Sequence, residues 1–162
     1  MRFVNQIAAK ADENCRSALH EVRNHLQTIS STSSLHKHLT EYSLIVCSGT
    51  LEQAFKNIIA DHVTRGSSPE IVQYIDKTIR RCGANPSKSK IVEMLEKFNS
   101  AWGRQFKQET SRLSQRDIDS LESLVKERNL LAHGDSVSIS LNCVIEYYCR
   151  ARNVVGKLES FL

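Results

Sequence analysis

The chain has 162 residues, of which 40% are hydrophobic and 25% are charged, with only six glycines and two prolines. These values are typical of a globular protein, and the length suits one ordinary domain, so we expect a single domain over residues 1–162. The net charge of +4 is compatible with a polyanionic partner but excludes the large basic excess of proteins that package nucleic acid.

The N-terminal sequence MRFVNQIAAKADENC lacks the apolar segment of a signal peptide, and apolar runs elsewhere are only a few residues long. We therefore expect neither a secretory leader nor a membrane span, and we expect the protein in the cytoplasm. Five cysteines form no CxxC pair, which argues against a disulfide framework or zinc ribbon and favours reduced thiols. The pairs His20/His25 and His36/His38 lack cysteine or acidic partners at ligand spacing, so neither a metal nor a cofactor is predicted.

Apolar residues recur with a period of about 3.6 in almost every segment, which predicts an all-α helical bundle of about five to six helices. The predicted helices, in chain order, span residues 3–29, 35–65, 69–83, 87 to about 99 or a little beyond, 113–133 and 141–162. The predicted connections include the loop SSTSS at 30–34 and a short extended link SVSIS at 136–140. A strand over 136–140 is the alternative, but a lone strand would have nothing to pair with.

Several helix ends carry residues that favour them. Pro69 in the first turn and Gly83 after the last turn are typical of a short helix. Ser114, with Asp117 three residues later, predicts the start of the fifth helix, and Gly134 predicts its end.

The fifth predicted helix contains the sequence KERNLLAHGDS, residues 126–136, in which an arginine falls where an apolar residue belongs. Taking Leu121 as zero and turning about 100° per residue, the apolar residues within about 60° form the predicted buried stripe: Leu124, Val125 and Ala132. Arg128 falls at about −20°, in the middle of that stripe. A guanidinium there needs an acid, a phosphate or a second protein surface, because an unpaired buried charge costs several kcal/mol.

Asn129 and His133 share one flank of this helix, at about +80° and about +120°. Leu130, at about 180°, is predicted to point away from the core, where a monomer prefers a polar residue. A symmetry mate packed on this flank would cover the leucine, so the pattern favours a homodimer. The alternative is structural: an arginine tied to a buried carboxylate, a histidine beside the carbonyl end of the helix and an isolated leucine.

One acid on the second predicted helix is a candidate partner for this site. Glu52 falls in a broad apolar sector formed by Leu44, Ile45, Ser48, Leu51, Phe55 and Ile59. Pairing with Arg128 or His133 would satisfy both groups and tune the histidine. A glutamate at the solvent edge is the alternative.

The string RNLLAHGDSVSIS has an asparagine after the arginine, an alanine before the histidine and a glycine after it. It resembles the R-x4-6-H motif of the HEPN superfamily, in particular its RiboL-PSP and MAE branches. The resemblance spans about residues 41–162 and includes the glutamate-bearing helix YSLIVCSGTLEQAFK, the middle segment IVEMLEKFNSAWG and a final helix after a short link. It implies an all-α fold, and many HEPN proteins are metal-independent RNases of toxin–antitoxin, CRISPR and anti-phage systems.

The resemblance implies that two chains pack their fifth helices together and bring both copies of Arg128 and His133 into one cleft that cleaves RNA. Histidine would act as general acid or base, arginine would stabilise the phosphorane, and Asn129 would orient the histidine or donate to phosphate. Glu52 and Asp135 are predicted to support the site. In one toxin branch the position of Asp135 holds a tyrosine that an antitoxin modifies, so an antitoxin or defence-system partner would act here by another route.

Two other interpretations remain open at the level of sequence. In the first, the chain would be a non-catalytic HEPN module that binds RNA or a partner subunit. In the second, it would be an antitoxin-like protein that binds a related toxin through the same helix. Presence of the arginine, asparagine and histidine together favours the nuclease.

A basic stretch between residues 77 and 90 contains no acid. It is predicted to contact RNA phosphates, together with Lys126 just before the motif. A solvated helix end and loop is the alternative. The cations of this stretch are Lys77, Arg80, Arg81, Lys88 and Lys90.

Overall fold

The computed structural model of the chain describes residues 2–30 and 33–162. Its α-helices are α1 (Gln6–Leu26), α2 (Ser34–Thr64), α3 (Pro69–Ile75), α4 (Lys88–Glu96), α5 (Ser100–Ser111), α6 (Gln115–Ala132) and α7 (Leu141–Gly156). A π-helical segment, Asp76–Arg80, continues α3, and a 3-10 turn, Lys157–Ser160, follows α7. Over these two ranges the structure has no strand, which confirms the predicted all-α class.

Three of the predicted helix ends are found where the local chemistry placed them. Ser114 caps α6: its hydroxyl accepts from the Asp117 backbone N–H at 3.2 Å and donates to the Asp117 carboxylate at 2.7 Å. Pro69 occupies the first turn of α3, because a missing N–H costs nothing there. Gly134 follows α6 with a φ of 85°, a conformation that side chains disfavour.

Several boundaries differ from the prediction. The third predicted helix becomes π-helical at Asp76 and ends at Arg80, before Gly83, and the last α-helix ends at Gly156. The prediction extended the fourth helix a little beyond residue 99, but the structure has a separate helix there, α5. Asn99 ends the preceding helical region and caps α5, because its side chain accepts from the Ala101 N–H. The first helix is shorter than residues 3–29. Ser31 and Thr32, within the predicted loop, lie outside the described residues.

Helix α2 lies at the centre of the bundle, and α1, α6 and α7 all pack against it. Its buried side chains extend from Thr40 to Ala60 and include Leu44, Leu51, Phe55 and Ile59. Helices α4 and α5 pack together, and α4 also contacts α6. One hydrophobic cluster joins residues from all seven helices, so α6 is held from several sides at once.

A buried polar network ties the first helix to the last. Asp12, with only 1% of its surface exposed, accepts from the Tyr148 hydroxyl at 2.8 Å and from Arg152 Nη2 at 2.7 Å. Burial, together with the neighbouring Cys15 and Asp12, raises the pKa of Tyr148 well above its usual value, so the phenol stays protonated and donates.

All five cysteines are free thiols. None of the helices in residues 2–30 and 33–162 is long and apolar enough to cross a membrane.

Candidate active site at the end of helix α6

The last turn of α6 presents the predicted motif and ends in a tightly bonded cap. The backbone N–H of His133, the residue that closes the helix, donates to Asn129 O at 3.0 Å. The N–H of Gly134 donates to Leu131 O at 3.1 Å, and that of Asp135 donates to Leu130 O at 3.0 Å. This pair of bonds is a Schellman motif, which fixes the backbone around the histidine.

The side chains of the motif differ in exposure. Arg128 and Asn129 are half-buried, whereas His133 and Asp135 are exposed. The prediction that Arg128 sits in the middle of a buried stripe therefore holds only in part. Ala132 is exposed, contrary to the angle count, because the buried stripe of α6 ends at Val125, one turn before the motif.

Leu130 was predicted to point away from the core, and this is wrong. It is half-buried and packs against the hydrophobic core of its own chain. The angle count assumed one buried face, but α6 packs against α2, α4 and α7 together and so has apolar contacts on more than one side. Leu130 therefore does not require a second chain to cover it.

The amide of Asn129 joins the motif to a distant loop. Its Oδ1 accepts from Asn85 Nδ2 at 2.9 Å and from Arg128 Nη1 at 3.4 Å. Asn85 is half-buried and lies in the loop between the π-helical segment and α4. Arg128 thus has a neutral amide as its hydrogen-bond partner in the described structure, and no carboxylate is bonded to it.

Glu52 pairs within its own helix, so its predicted pairing with Arg128 or His133 is not what the structure shows. Its Oε1 accepts from Lys56 Nζ at 2.9 Å and from the backbone N–H of Ala84 at 3.1 Å. The sequence count missed Lys56 as the partner, although a spacing of four residues on a helix is the usual one for such a pair.

Lys56 is the buried cation next to this site, with 2% of its surface exposed. Its ammonium group also donates to the carbonyl of Cys82 at 2.6 Å. Lys56 and Glu52 therefore bind the loop at Cys82 and Ala84 from helix α2. Asn85 of the same loop donates to Asn129. Glu52 is thus connected to the motif only indirectly, through the loop that carries Ala84 and Asn85.

The predicted RNA-binding cations fall into two groups. Arg80 donates through Nε to Asp76 at 2.7 Å and also contacts Asp61 and Asn57. Partial burial opposes its charge, but the two acids outweigh this and raise the pKa of Arg80. Arg80 is thus ion-paired within the fold, and its contact with RNA stays a prediction.

The remaining basic residues are more accessible. Lys77, Arg81 and Lys126 are exposed, Lys88 is half-buried, and Lys90 pairs with Glu93 at 2.8 Å. The acids that pair with Arg80 and Lys90 lie outside the stretch 77–90. The stretch itself contains no acid, so its sequence gave no sign of these ion pairs. Among the described residues no three His, Cys, Asp or Glu side chains gather where they could hold a metal ion.

Comparison with known families assigns this fold. The RiboL-PSP-HEPN family model matches residues 13–162. The chain belongs to this family of the HEPN superfamily. No curated protein and no solved structure matched the chain. HEPN domains are often RNases, often bind RNA and often dimerise.

The match to the HEPN family confirms the resemblance found in the sequence and extends it to most of α1. Two residues beside the motif were not identified from sequence. Asn85 gave no local signal, because its importance lies in a contact across 44 positions of the chain. Lys56 was detectable as the residue four positions after Glu52.

Proposed function

We propose that this protein is a metal-independent endoribonuclease that acts as a toxin or anti-phage effector and cleaves RNA at a composite site on a homodimer. Three residues carry the chemistry: Arg128, Asn129 and His133. The observation that supports the proposal most is the placement of these residues, in a HEPN family member, at one rigidly capped helix end.

The spacing of the arginine and the histidine favours a site built from two chains. Five residues of an α-helix turn through about 140°, so Arg128 and His133 of one helix face different sides. Two antiparallel copies of α6 related by a two-fold axis would let the arginine of one chain approach the histidine of the other. Since Leu130 is packed within its own chain, the dimer contact would involve the exposed side chains around it.

The reaction follows from the residue types. His133 takes the proton of a ribose 2′-OH, and the freed oxygen attacks the adjacent phosphorus. The bond from phosphorus to the 5′-oxygen then breaks, and that oxygen receives a proton from a histidine acting as acid. Products are a 2′,3′-cyclic phosphate and a 5′-OH end, and DNA is not cleaved because it lacks the nucleophile.

The phosphorane carries extra negative charge on its non-bridging oxygens, and the two half-buried residues can stabilise it. The Arg128 guanidinium offers paired donors to these oxygens, and such a preorganised donor is typically worth about 3–4 kcal/mol of barrier. Asn129 contributes its amide N–H groups. Removal of one such donor would lower kcat by about 10²- to 10³-fold.

The test is cleavage of total and transfer RNA by purified wild type, Arg128→Ala and His133→Ala, each in EDTA. We expect the wild type to leave cyclic phosphate ends and both variants to lose activity while keeping the helical circular dichroism spectrum and the oligomeric state. Full activity of His133→Ala would refute the assignment. RNA binding without cleavage by the wild type would instead identify a non-catalytic module.

The role as a toxin or defence effector is tested in cells. Induced expression should arrest growth of a bacterial host only when His133 is intact. A Gln108→Ala variant, altered at an exposed position on α5, serves as the matched control for expression level. Equal growth arrest by wild type and His133→Ala would contradict this role.

A further inference from the structure

We propose that Asn85 is a positioning residue for RNA cleavage: by holding the oxygen of the Asn129 amide, it turns the Asn129 Nδ2 group toward the substrate phosphate. This inference rests on the proposed function, because it names how one of the three site residues is oriented. It assigns a role to a loop residue that the motif does not include.

The contacts of Asn129 define which end of its amide is free. Its Oδ1 accepts from Asn85 Nδ2 at 2.9 Å, and Arg128 Nη1 lies 3.4 Å from the same oxygen. A guanidinium has only donors, so it selects the oxygen for this position. Rotating the amide by half a turn would set Nδ2 against two donors and lose both bonds. The Nδ2 group of Asn129 therefore points away from both and is available to an incoming acceptor.

Asn85 itself is held so that its donor faces the site. Its own Oδ1 is buried, and in residues 2–30 and 33–162 no hydrogen-bond partner reaches it. The side chain is thus committed to the site through Nδ2 alone.

The loop that carries Asn85 is hydrogen-bonded before and after this residue. Before it, Glu52 accepts from the Ala84 N–H at 3.1 Å, and the buried Lys56 donates to the Cys82 carbonyl at 2.6 Å. After it, Glu122 of α6 accepts from the backbone N–H of Lys88 at 2.9 Å. Because these bonds reach the residues on either side, the Asn85 amide is presented to Asn129 from a fixed backbone.

The functional consequence is specific. With Nδ2 directed outward, Asn129 donates to a non-bridging phosphate oxygen beside the Arg128 guanidinium, and both groups stabilise the same developing charge. If the amide were turned over, its oxygen would face the phosphate and repel it. Asn85 acts only through Asn129 and needs no contact with RNA.

The decisive variants are Asn85→Asp, Asn85→Ala and Asn129→Ala, with the double variant Asn85→Ala/Asn129→Ala. The carboxylate introduced by Asn85→Asp cannot donate, so Asn129 turns its Nδ2 inward and its oxygen outward. We expect kcat to fall about 100-fold for this variant and about tenfold for Asn85→Ala, with KM changed less than about threefold. The exposed Asn142→Asp serves as the matched amide-to-acid control and should behave as wild type.

A double-mutant cycle separates positioning from support of the fold. Adding Asn85→Ala to Asn129→Ala should leave kcat unchanged within about twofold, because the group that Asn85 orients is already gone. A residue that only stabilised the loop would lower kcat by the same factor in both backgrounds. That second result, or wild-type kcat for Asn85→Asp, would overturn the inference.

A binding measurement separates the role of Asn85 from the nuclease activity. The same proteins are titrated with a fluorescent 2′-O-methyl RNA, which offers phosphates but has no attacking hydroxyl. If the wild type binds this RNA without cleaving natural RNA, equal loss of affinity in Asn85→Asp and Asn129→Ala would uphold the positioning role alone. Cleavage that depends on His133 but not on Asn85 would overturn the inference alone, and absence of both binding and cleavage would overturn both.

Discussion

The buried ion pair that contacts the loop at Ala84 gives a stability prediction with a definite sign. Lys56→Met keeps the length and most of the apolar volume of the side chain but removes the ammonium group. That group is 2.9 Å from Glu52 Oε1 and 2.6 Å from the Cys82 carbonyl, and the lysine side chain is 2% exposed. The variant thus leaves one half-buried carboxylate and one loop carbonyl without their cation.

The expected loss can be worked from these contacts. Removing one partner of a buried pair typically costs about 3–5 kcal/mol, since the other charge stays behind without its counter-ion. Glu52 still accepts from the Ala84 N–H, and its side chain is 15% exposed to solvent. The loss of stability for Lys56→Met should therefore be about 3 kcal/mol, at the lower end of this range. For a chain of this length about 2–4 °C of Tm is lost per kcal/mol, so Tm should fall by about 6–12 °C.

A second substitution tests the origin of that loss. Glu52→Gln in the Lys56→Met background removes the stranded charge but preserves an oxygen for the Ala84 N–H. We expect the double variant to be more stable than Lys56→Met alone by about 1–2 kcal/mol. Urea unfolding followed by circular dichroism measures these differences, with the exposed Lys10→Met as control, expected within about 0.5 kcal/mol of wild type.

Two outcomes would contradict this reasoning. One is a loss below about 1 kcal/mol for Lys56→Met, which would mean that the pair is already solvated or dispensable. The other is a double variant no more stable than Lys56→Met alone, which would mean that the carboxylate left behind by Lys56→Met carries no penalty.

Two further predictions concern the α1–α7 network and the basic surface. Asp12→Ala should cost about 3–5 kcal/mol in urea unfolding, because it removes the buried carboxylate to which the Tyr148 hydroxyl and Arg152 donate. Glu13→Ala on the same helix, where the acid is exposed, should change stability by less than about 0.5 kcal/mol, and similar losses in both variants would refute this prediction. If Arg81 contacts a phosphate, Arg81→Ala should reduce the slope of log K against log salt for single-stranded RNA by about 0.7, and an unchanged slope would remove it from the RNA path.

Local sequence chemistry was sufficient for the helical class and for several helix ends. The caps at Ser114 and Gly134 and the proline at position 69 act within one turn of backbone, so residues a few positions apart determine them. The resemblance to the family was also visible in local sequence, in the string around Arg128 and His133, and the family model matches residues 13–162. The all-α class and the family resemblance could therefore be inferred from local sequence, without knowledge of how the helices pack.

Partners were decided by the tertiary structure. Glu52 accepts from the backbone N–H of Ala84, Arg80 is held by Asp61, and Leu130 lies against its own core. A helical angle count locates a side chain on its own helix but says nothing about which neighbouring helix or loop lies opposite. For the same reason the contact between Asn85 and Asn129, 44 positions apart, exists only once α2, α6 and the loop between α3 and α4 are packed together.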